Sequence, residues 1–227
     1  MPKPLDERSL EQVQQAIGYR FRDHSLLKRA LTHRSASSEH MERLEFLGDA
    51  VLGLTISDSL HEKFHLSTEG ELSRMRAALV RKESLVSVAT VWELDRFLTV
   101  GEGERKDGCL KSQSIAANGV EALIGAVFQE AGWEEARELV MRSWHSMLGK
   151  IDVDSVQDSK SRLQEFTQGK GWGLPEYSVA DLGVGKSPRF SAQCIVNGEL
   201  VSRGSGDRKK TAELDAAEQA WESIQKR

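Results

Sequence analysis

Cysteine is scarce in this chain. The two present, Cys109 and Cys194, lie far apart in sequence, and neither sits in a metal-ligand spacing such as CxxC. That argues against a thiolate metal site and fits two free thiols in a reducing cytosol. Long hydrophobic runs are missing as well. No apolar stretch approaches the ~18 residues of a membrane span, and the N-terminal run from Met1 to Glu7 lacks the apolar core of a signal peptide. A cytoplasmic protein that makes no membrane contact is expected. An excess of basic charge is also absent: the formal net charge is −4, which taken whole argues against a nucleic-acid binder. The balance is uneven, however. Residues 155–227 carry 11 Lys and Arg against 10 Asp and Glu, net +1, while residues 1–154 carry 20 against 25, net −5. Phosphate binding needs a local basic patch rather than a basic total, so the second stretch stays open to such a role. A length of 227 residues accommodates one large domain or two smaller ones.

The most informative segment present is Glu42-Arg43-Leu44-Glu45-Phe46-Leu47-Gly48-Asp49-Ala50-Val51-Leu52. It sets Glu42, Glu45 and Asp49 at i, i+3 and i+7 of an apolar-periodic run, on one face of a helix. In a chain with 35 Asp and Glu, that spacing alone equally describes a solvated acidic face. Two features point the other way. Leu44, Phe46, Leu47, Val51 and Leu52 are interleaved with the acids and leave no wide polar face for water. Gly48 sits mid-helix, where it costs about 1 kcal/mol relative to Ala, and such a glycine usually marks a close approach to another backbone. Carboxylates that converge in a partly buried place resist ionising. A hard divalent cation removes that cost, Mg²⁺ being usual for oxygen-only ligands, and suggests metal-assisted chemistry on a phosphate.

Periodicity divides the chain. Residues 5–148 read as helices: Leu10, Val13, Ala16 and Ile17 recur at helical spacing, as do Leu26, Leu27, Ala30 and Leu31. Further helices are predicted over about 41–63, 71–79, 83–92, 114–130 and 134–148, with a glycine-rich polar loop between Leu98 and Ser112. Residues 149–158 are polar and aperiodic, which places a linker at 151–158 between a first domain over 1–150 and a second over 159–227. The second domain reads as a helix at 161–168, strands at 176–181, 189–196 and 199–204, and a helix at 211–225. Asn197-Gly198 is a strong hairpin-turn signal between the last two strands. The expected fold is thus an all-α domain followed by a small α+β domain of order α-β-β-β-α, with both helices on one face of the sheet.

The run ERLEFLGDAVL resembles the signature of the ribonuclease III family, endonucleases that cut double-stranded RNA. Gly18-Tyr19-Arg20-Phe21, Leu26-Leu27 and Ala30-Leu31-Thr32-His33-Arg34-Ser35 match upstream, and Val120-Glu121-Ala122-Leu123-Ile124-Gly125-Ala126-Val127-Phe128 resembles the family's second carboxylate helix. Residues 159–227 resemble its RNA-binding domain, so the likeness spans nearly the whole chain in the order of a bacterial member. It implies a homodimeric endoribonuclease of RNA processing, acting on ribosomal and messenger precursors. Its metal ligands would be Glu45, Asp49, Asn118 and Glu121, with Asp49, Glu121 and Glu42 catalytic and Glu69 a further acid lining the site. Mg²⁺ is the implied cofactor, Mn²⁺ a substitute. Products would carry 5′-phosphate and 3′-hydroxyl ends with short 3′ overhangs. Phe46 would insert into the partner subunit, and His33 reads as a structural histidine. At position 118 the chain departs from the family, which usually has Asp there. An amide keeps a carbonyl oxygen for the metal but loses a full charge, so the alternative is an impaired enzyme that still binds double-stranded RNA.

A-form RNA offers a wide, shallow minor groove edged by 2′-hydroxyls, and proteins read it by shape and phosphate. By resemblance, Ser161, Gln164, Glu165 and Gln168 share a helix face for one minor groove, and the 183–189 loop with Lys186 reaches the next. Arg208, Lys209 and Lys210, at the start of the last helix, take the phosphates between, where the helix N-terminus adds its own positive end. The Ala180–Ser187 run superficially approaches a phosphate-binding P-loop, but Pro188 and the strand-like residues after it supply no helix, and no nucleotide cofactor is expected.

Overall fold

The structure, a computed structural model, describes residues 6–106, 109–110, 112–152 and 159–225. The chain divides into two compact units, Met1–Val153 and Asp154–Arg227. Of the linker expected at 151–158, residues 153–158 lie outside the described residues.

The first unit is built on α1 (Glu7–Ile17), α2 (His24–Ala30), α3 (Glu42–Lys63), α4 (Glu69–Val80), α5 (Lys82–Val91), α6 (Gln113–Ala131) and α7 (Trp133–Lys150). Local chemistry starts these helices. Asp6 and Asp23 cap α1 and α2 by accepting from Ser9 N and Ser25 N at 2.9 and 2.8 Å. Thr68 and Glu71 close a capping box on α4. Gly18 ends α1 in the left-handed conformation, φ 70°. The largest buried side chains include Leu10, Leu27, Met41, Leu44, Leu52, Ile56, Leu123 and Trp144. The Trp144 indole N–H reaches the Leu79 carbonyl at 2.8 Å and fastens α7 to α4.

Helix α6 is the centre of this unit, with Ala122 to Val127 buried without interruption. A helix apolar all round must be enclosed by others, and α3 is its principal neighbour. Two glycines set how close they come. A Cβ on Gly48 of α3 would lie 1.8 Å from the Glu121 carbonyl oxygen, and one on Gly125 of α6 would lie 2.1 Å from that of Leu44. The mid-helix glycine therefore marks a backbone-to-backbone crossing, as its cost in a helix suggested. The polar stretch expected as a loop between Leu98 and Ser112 is not wholly irregular. It holds a short antiparallel pair, β1 (Arg105–Lys106) with β2 (Cys109–Leu110), so the helical unit also carries a small β ladder. Its residues are polar and glycine-rich, and a two-residue ladder leaves no alternation to detect.

The second unit contains α8 (Ser159–Gly169), β3 (Glu176–Asp181), β4 (Phe190–Val196), β5 (Glu199–Gly206) and α9 (Lys209–Gln225). The strands form an antiparallel sheet in the order β3-β4-β5. The β4–β5 turn is Asn197-Gly198, both at positive φ (53° and 80°), as a tight hairpin requires. A register irregularity at Cys194/Ile195 was not foreseen from the sequence. Helix α9 covers β4 and β5 and packs against α8. Its alanines, Ala212, Ala216, Ala217 and Ala220, are fully buried with Leu163, Ala192 and Cys194. The stripe is narrow because the backbones nearly touch: a Cβ on Gly204 of β5 would sit 2.1 Å from Ala216 N.

Candidate catalytic centre and nucleic-acid interface

The α3–α6 crossing places the acidic residues. Because Gly48 abuts the Glu121 carbonyl, the turns carrying Glu45 and Asp49 face the turn carrying Glu121. The electrostatics register that convergence. Burial pushes the Glu121 carboxyl from 4.5 up to about 7, with further upward contributions from the charges of Asp49 and Glu45. Glu45 is also raised, by burial first and then by Glu42 and Asp49. A hydrogen bond from Asn118 and the charge of Arg34 oppose that rise. Four of the expected residues thus act on one another across two helices: Glu45 and Asp49 from α3, Asn118 and Glu121 from α6.

Glu42 stands at the exposed rim. It raises Glu45 and its carboxylate accepts from Arg34 Nη1 at 3.1 Å, while His40 Nδ1 accepts from the Glu42 backbone N–H at 3.4 Å. Both partners were missed as site residues in the sequence, although Arg34 belongs to the Thr32–Ser35 run already singled out. Glu69 is the first residue of α4, exposed, and accepts from Ser73 Oγ at 2.8 Å. It is not among the charges that shift Glu45 or Glu121. His33 is structural: its Nδ1 lies 2.8 Å from Ser35 Oγ, and its backbone N–H donates to the Thr99 carbonyl at 2.9 Å.

Among the described residues, no three His, Cys, Asp or Glu side chains are already closed into a metal-binding cluster. The acids that converge here raise one another through their charges. One corner of the set is also the amide of Asn118. The donors nonetheless fit a hard divalent ion: all are oxygen atoms, Glu121 is half-buried, and burial first, then the charges of Asp49 and Glu45, raise its carboxyl to about 7, a cost that a cation would relieve.

In the second unit, Gln164, Glu165 and Gln168 are exposed on α8, and Ser161 lies on the same face, away from buried Leu163 and Thr167. Arg208, Lys209 and Lys210 are exposed where α9 begins and form no salt bridge with any described residue. Lys186 lies in the exposed β3–β4 loop. Strand β4 follows this loop directly, so the P-loop-like Ala180–Ser187 run has no helix to serve.

Comparison with known proteins bears on both units. A family model described as ribonuclease-III-like matches residues 23–148, and a double-stranded RNA binding motif matches residues 159–224. Ribonuclease 3 of Pasteurella multocida is 42% identical over 221 residues, covering 96% of this chain and 98% of that protein. Ribonuclease 3 of Haemophilus influenzae is 43% identical over 223 residues, covering 95% and 97%. The chain belongs to the ribonuclease III family. Its members are endoribonucleases acting on double-stranded RNA. A crystal structure of the nuclease domain of ribonuclease III from Campylobacter jejuni aligns at 40% identity with a TM-score of 0.59, covering 63% of this chain and 98% of that one. A second structure of that domain, described as showing flexibility in a region involved in dimer formation, aligns at 40% with a TM-score of 0.58, covering 60% of this chain and 96% of that one. No helix among the described residues is long and apolar enough to cross a membrane.

Proposed function

We propose that this ribonuclease III family member cuts both strands of duplex RNA as a metal-dependent homodimer in the cytosol, with Glu45, Asp49, Asn118 and Glu121 as the metal-holding set. The observation that carries the reading is the backbone crossing at Gly48 and Gly125, which brings Glu45 and Asp49 of α3 against Asn118 and Glu121 of α6; burial, with Asp49 and Glu45, lifts the Glu121 carboxyl to about 7. A fold that brings acids together against their repulsion needs a counter-charge. Bound Mg²⁺, or Mn²⁺ in its place, would supply positive charge to a phosphate oxygen and acidify a water molecule. The chain's own groups do the positioning. The glycine crossing holds the two helices in register, Asn118 hydrogen-bonds Glu45, and Arg34 engages the Glu42 carboxylate at the rim. Hydrolysis by an in-line water leaves 5′-phosphate and 3′-hydroxyl ends.

Dimerisation has its own support. Phe46, Ala50 and Leu54 lie at i, i+4 and i+8 on one face of α3, all exposed, with Phe46 80% accessible. An exposed apolar stripe beside a catalytic face marks an interface. Two centres related by a twofold axis would cut opposite strands with a stagger, leaving short 3′ overhangs. Processing of ribosomal and messenger precursors would be the cellular use.

A second reading rests on Asn118: a duplex-RNA binder in which the missing charge has cost the cut. Cleavage of a long RNA duplex with and without Mg²⁺, by the unaltered chain and by Asn118→Asp, separates the two. Metal-dependent cutting by the unaltered chain is expected. Cutting by Asn118→Asp alone would favour the second reading, and cutting by neither would remove the carboxylate centre as the active site.

A further inference from the structure

The β3–β4 loop carries Lys186 and two glycines at positive φ, Gly183 (109°) and Gly185 (91°). Such a segment has large freedom to lose, yet it is tied at both ends. Asp181, the last residue of β3, accepts from Gly183 N at 2.9 Å. The same carboxylate accepts from Arg189 Nη2 at 2.8 Å and from Arg189 Nε at 3.2 and 3.3 Å, a two-nitrogen clasp across the loop's neck. Leu182 N donates to the Arg189 carbonyl at 2.7 Å, and the Arg189 guanidinium lies over the Phe190 ring at 4.9 Å. At the loop's far side, Ser187 Oγ donates to Asp207 Oδ1 at 3.1 Å. Asp207 immediately precedes Arg208, Lys209 and Lys210. An acid at that place would oppose phosphate binding if its only effect were its charge. Its bond to Ser187 gives it another use.

We propose that Asp181 with Arg189, and Asp207 with Ser187, are positioning residues that hold the β3–β4 loop against the start of α9, so that Lys186 and the Arg208–Lys210 cluster present one fixed array of cations to the RNA backbone. This rests on the duplex-RNA reading of the second unit. The clasp does not itself touch RNA. It removes loop freedom before binding, so that less is lost on complex formation. A bidentate Arg–carboxylate pair suits the role because its planar fork fixes direction as well as distance.

The test uses the full chain and a long RNA duplex, with equilibrium affinity measured across a salt series for Lys186→Ala, Arg189→Gln, Ser187→Ala and the doubles that combine Lys186→Ala with each. Lys186→Ala should weaken binding about fivefold and lower the salt slope by about 1, the mark of one lost phosphate contact. Arg189→Gln and Ser187→Ala should each reproduce part of both effects with the melting temperature nearly unchanged, and should add nothing in the Lys186→Ala background. Full additivity of Arg189→Gln with Lys186→Ala would make Arg189 a direct phosphate contact and overturn the clasp. No effect of either clasp variant would overturn it too, as would no effect of Lys186→Ala. Failure of the unaltered chain to bind duplex RNA would instead bring down the underlying RNA reading. Ser187→Ala keeps the test open if Arg189→Gln fails to fold.

Discussion

The two functional regions are held in place by opposite means. On α3 and α6 the chemistry-bearing acids stand on helices whose backbones touch at Gly48 and Gly125, and partial burial raises the Glu45 and Glu121 carboxyls. In the second unit the candidate RNA contacts other than half-buried Ser161 are exposed, placed at a helix face, a helix start and a glycine-containing loop. A reaction centre needs groups fixed to fractions of an ångström with their charge tuned by desolvation. A surface that reads RNA by shape and phosphate needs cations in solvent, each worth little and replaceable. Substitutions should therefore act steeply and separately in the first region, and shallowly and in proportion to charge in the second.

The largest effect expected is from Gly48→Ala. Its Cβ would fall 1.8 Å from the Glu121 carbonyl oxygen, so the two helices must part, at a cost of about 3 kcal/mol or more. Thermal melting should show the first unit's transition lowered and cleavage lost while duplex binding survives. Gly204→Ala, with a Cβ 2.1 Å from Ala216 N, is its counterpart in the second unit: there binding should go and the first unit's melting stay. Should both variants lose both properties, the separation of the two regions is wrong.

Next in size is Glu121→Gln, expected to lower the cleavage rate about a hundredfold or more with duplex affinity within about twofold, since no charge is removed from the RNA-binding unit. Single-turnover kinetics beside a gel-shift titration read the two effects independently. Asn118→Asp restores a full charge to the donor set and should tighten Mg²⁺ binding about tenfold, because affinity at such sites follows ligand charge; calorimetric titration of the metal alone would show it.

The pH dependence has a definite sign. Glu121 titrates near 7 in the folded chain and near 4.5 when unfolded. Between those values the folded state keeps a proton that the unfolded state has released, so stability without metal falls as pH rises across that window and levels off above it. Glu45, also raised, acts in the same direction. Asp23, Glu130 and Asp181, all lowered, act at more acid pH. The melting temperature in chelator should drop from pH 5 to pH 8, and Mg²⁺ should recover more at pH 8. A flat profile would contradict the convergence of the acids. The smallest effect expected is that of Lys209→Ala or Lys210→Ala, a reduction of the salt slope of duplex binding by about 1 each, with single-turnover cleavage at saturating enzyme unchanged.

Much of the first region was legible because its signals are local. An i, i+3, i+7 set, interleaved apolar residues and a costly glycine share eleven consecutive residues, and the crossing explains all three. The strand pair around Asn197-Gly198 was legible for the same reason. What escaped is what sequence neighbours cannot encode. Glu130 accepts from the backbone of Arg22 and Asp23 and from the Tyr19 hydroxyl at 2.7–3.1 Å, fastening the turn before α2 to the end of α6 across more than a hundred residues. No local pattern announces such a clamp. The Ser187–Asp207 tie, across 20 residues, belongs to the same class. Glu69 shows the converse: a carboxylate at a helix start satisfies its neighbour Ser73, and its place in the site rests on resemblance alone.

The most direct test of the carboxylate centre is Mg²⁺-dependent cleavage of duplex RNA by the unaltered chain beside Glu121→Gln, with duplex binding measured on the same preparations. The expected result is metal-dependent cutting by the unaltered chain, its near-complete loss in Glu121→Gln, and equal binding by both. Undiminished cutting by Glu121→Gln would place the chemistry elsewhere and contradict the reading of the α3–α6 crossing as the site of hydrolysis.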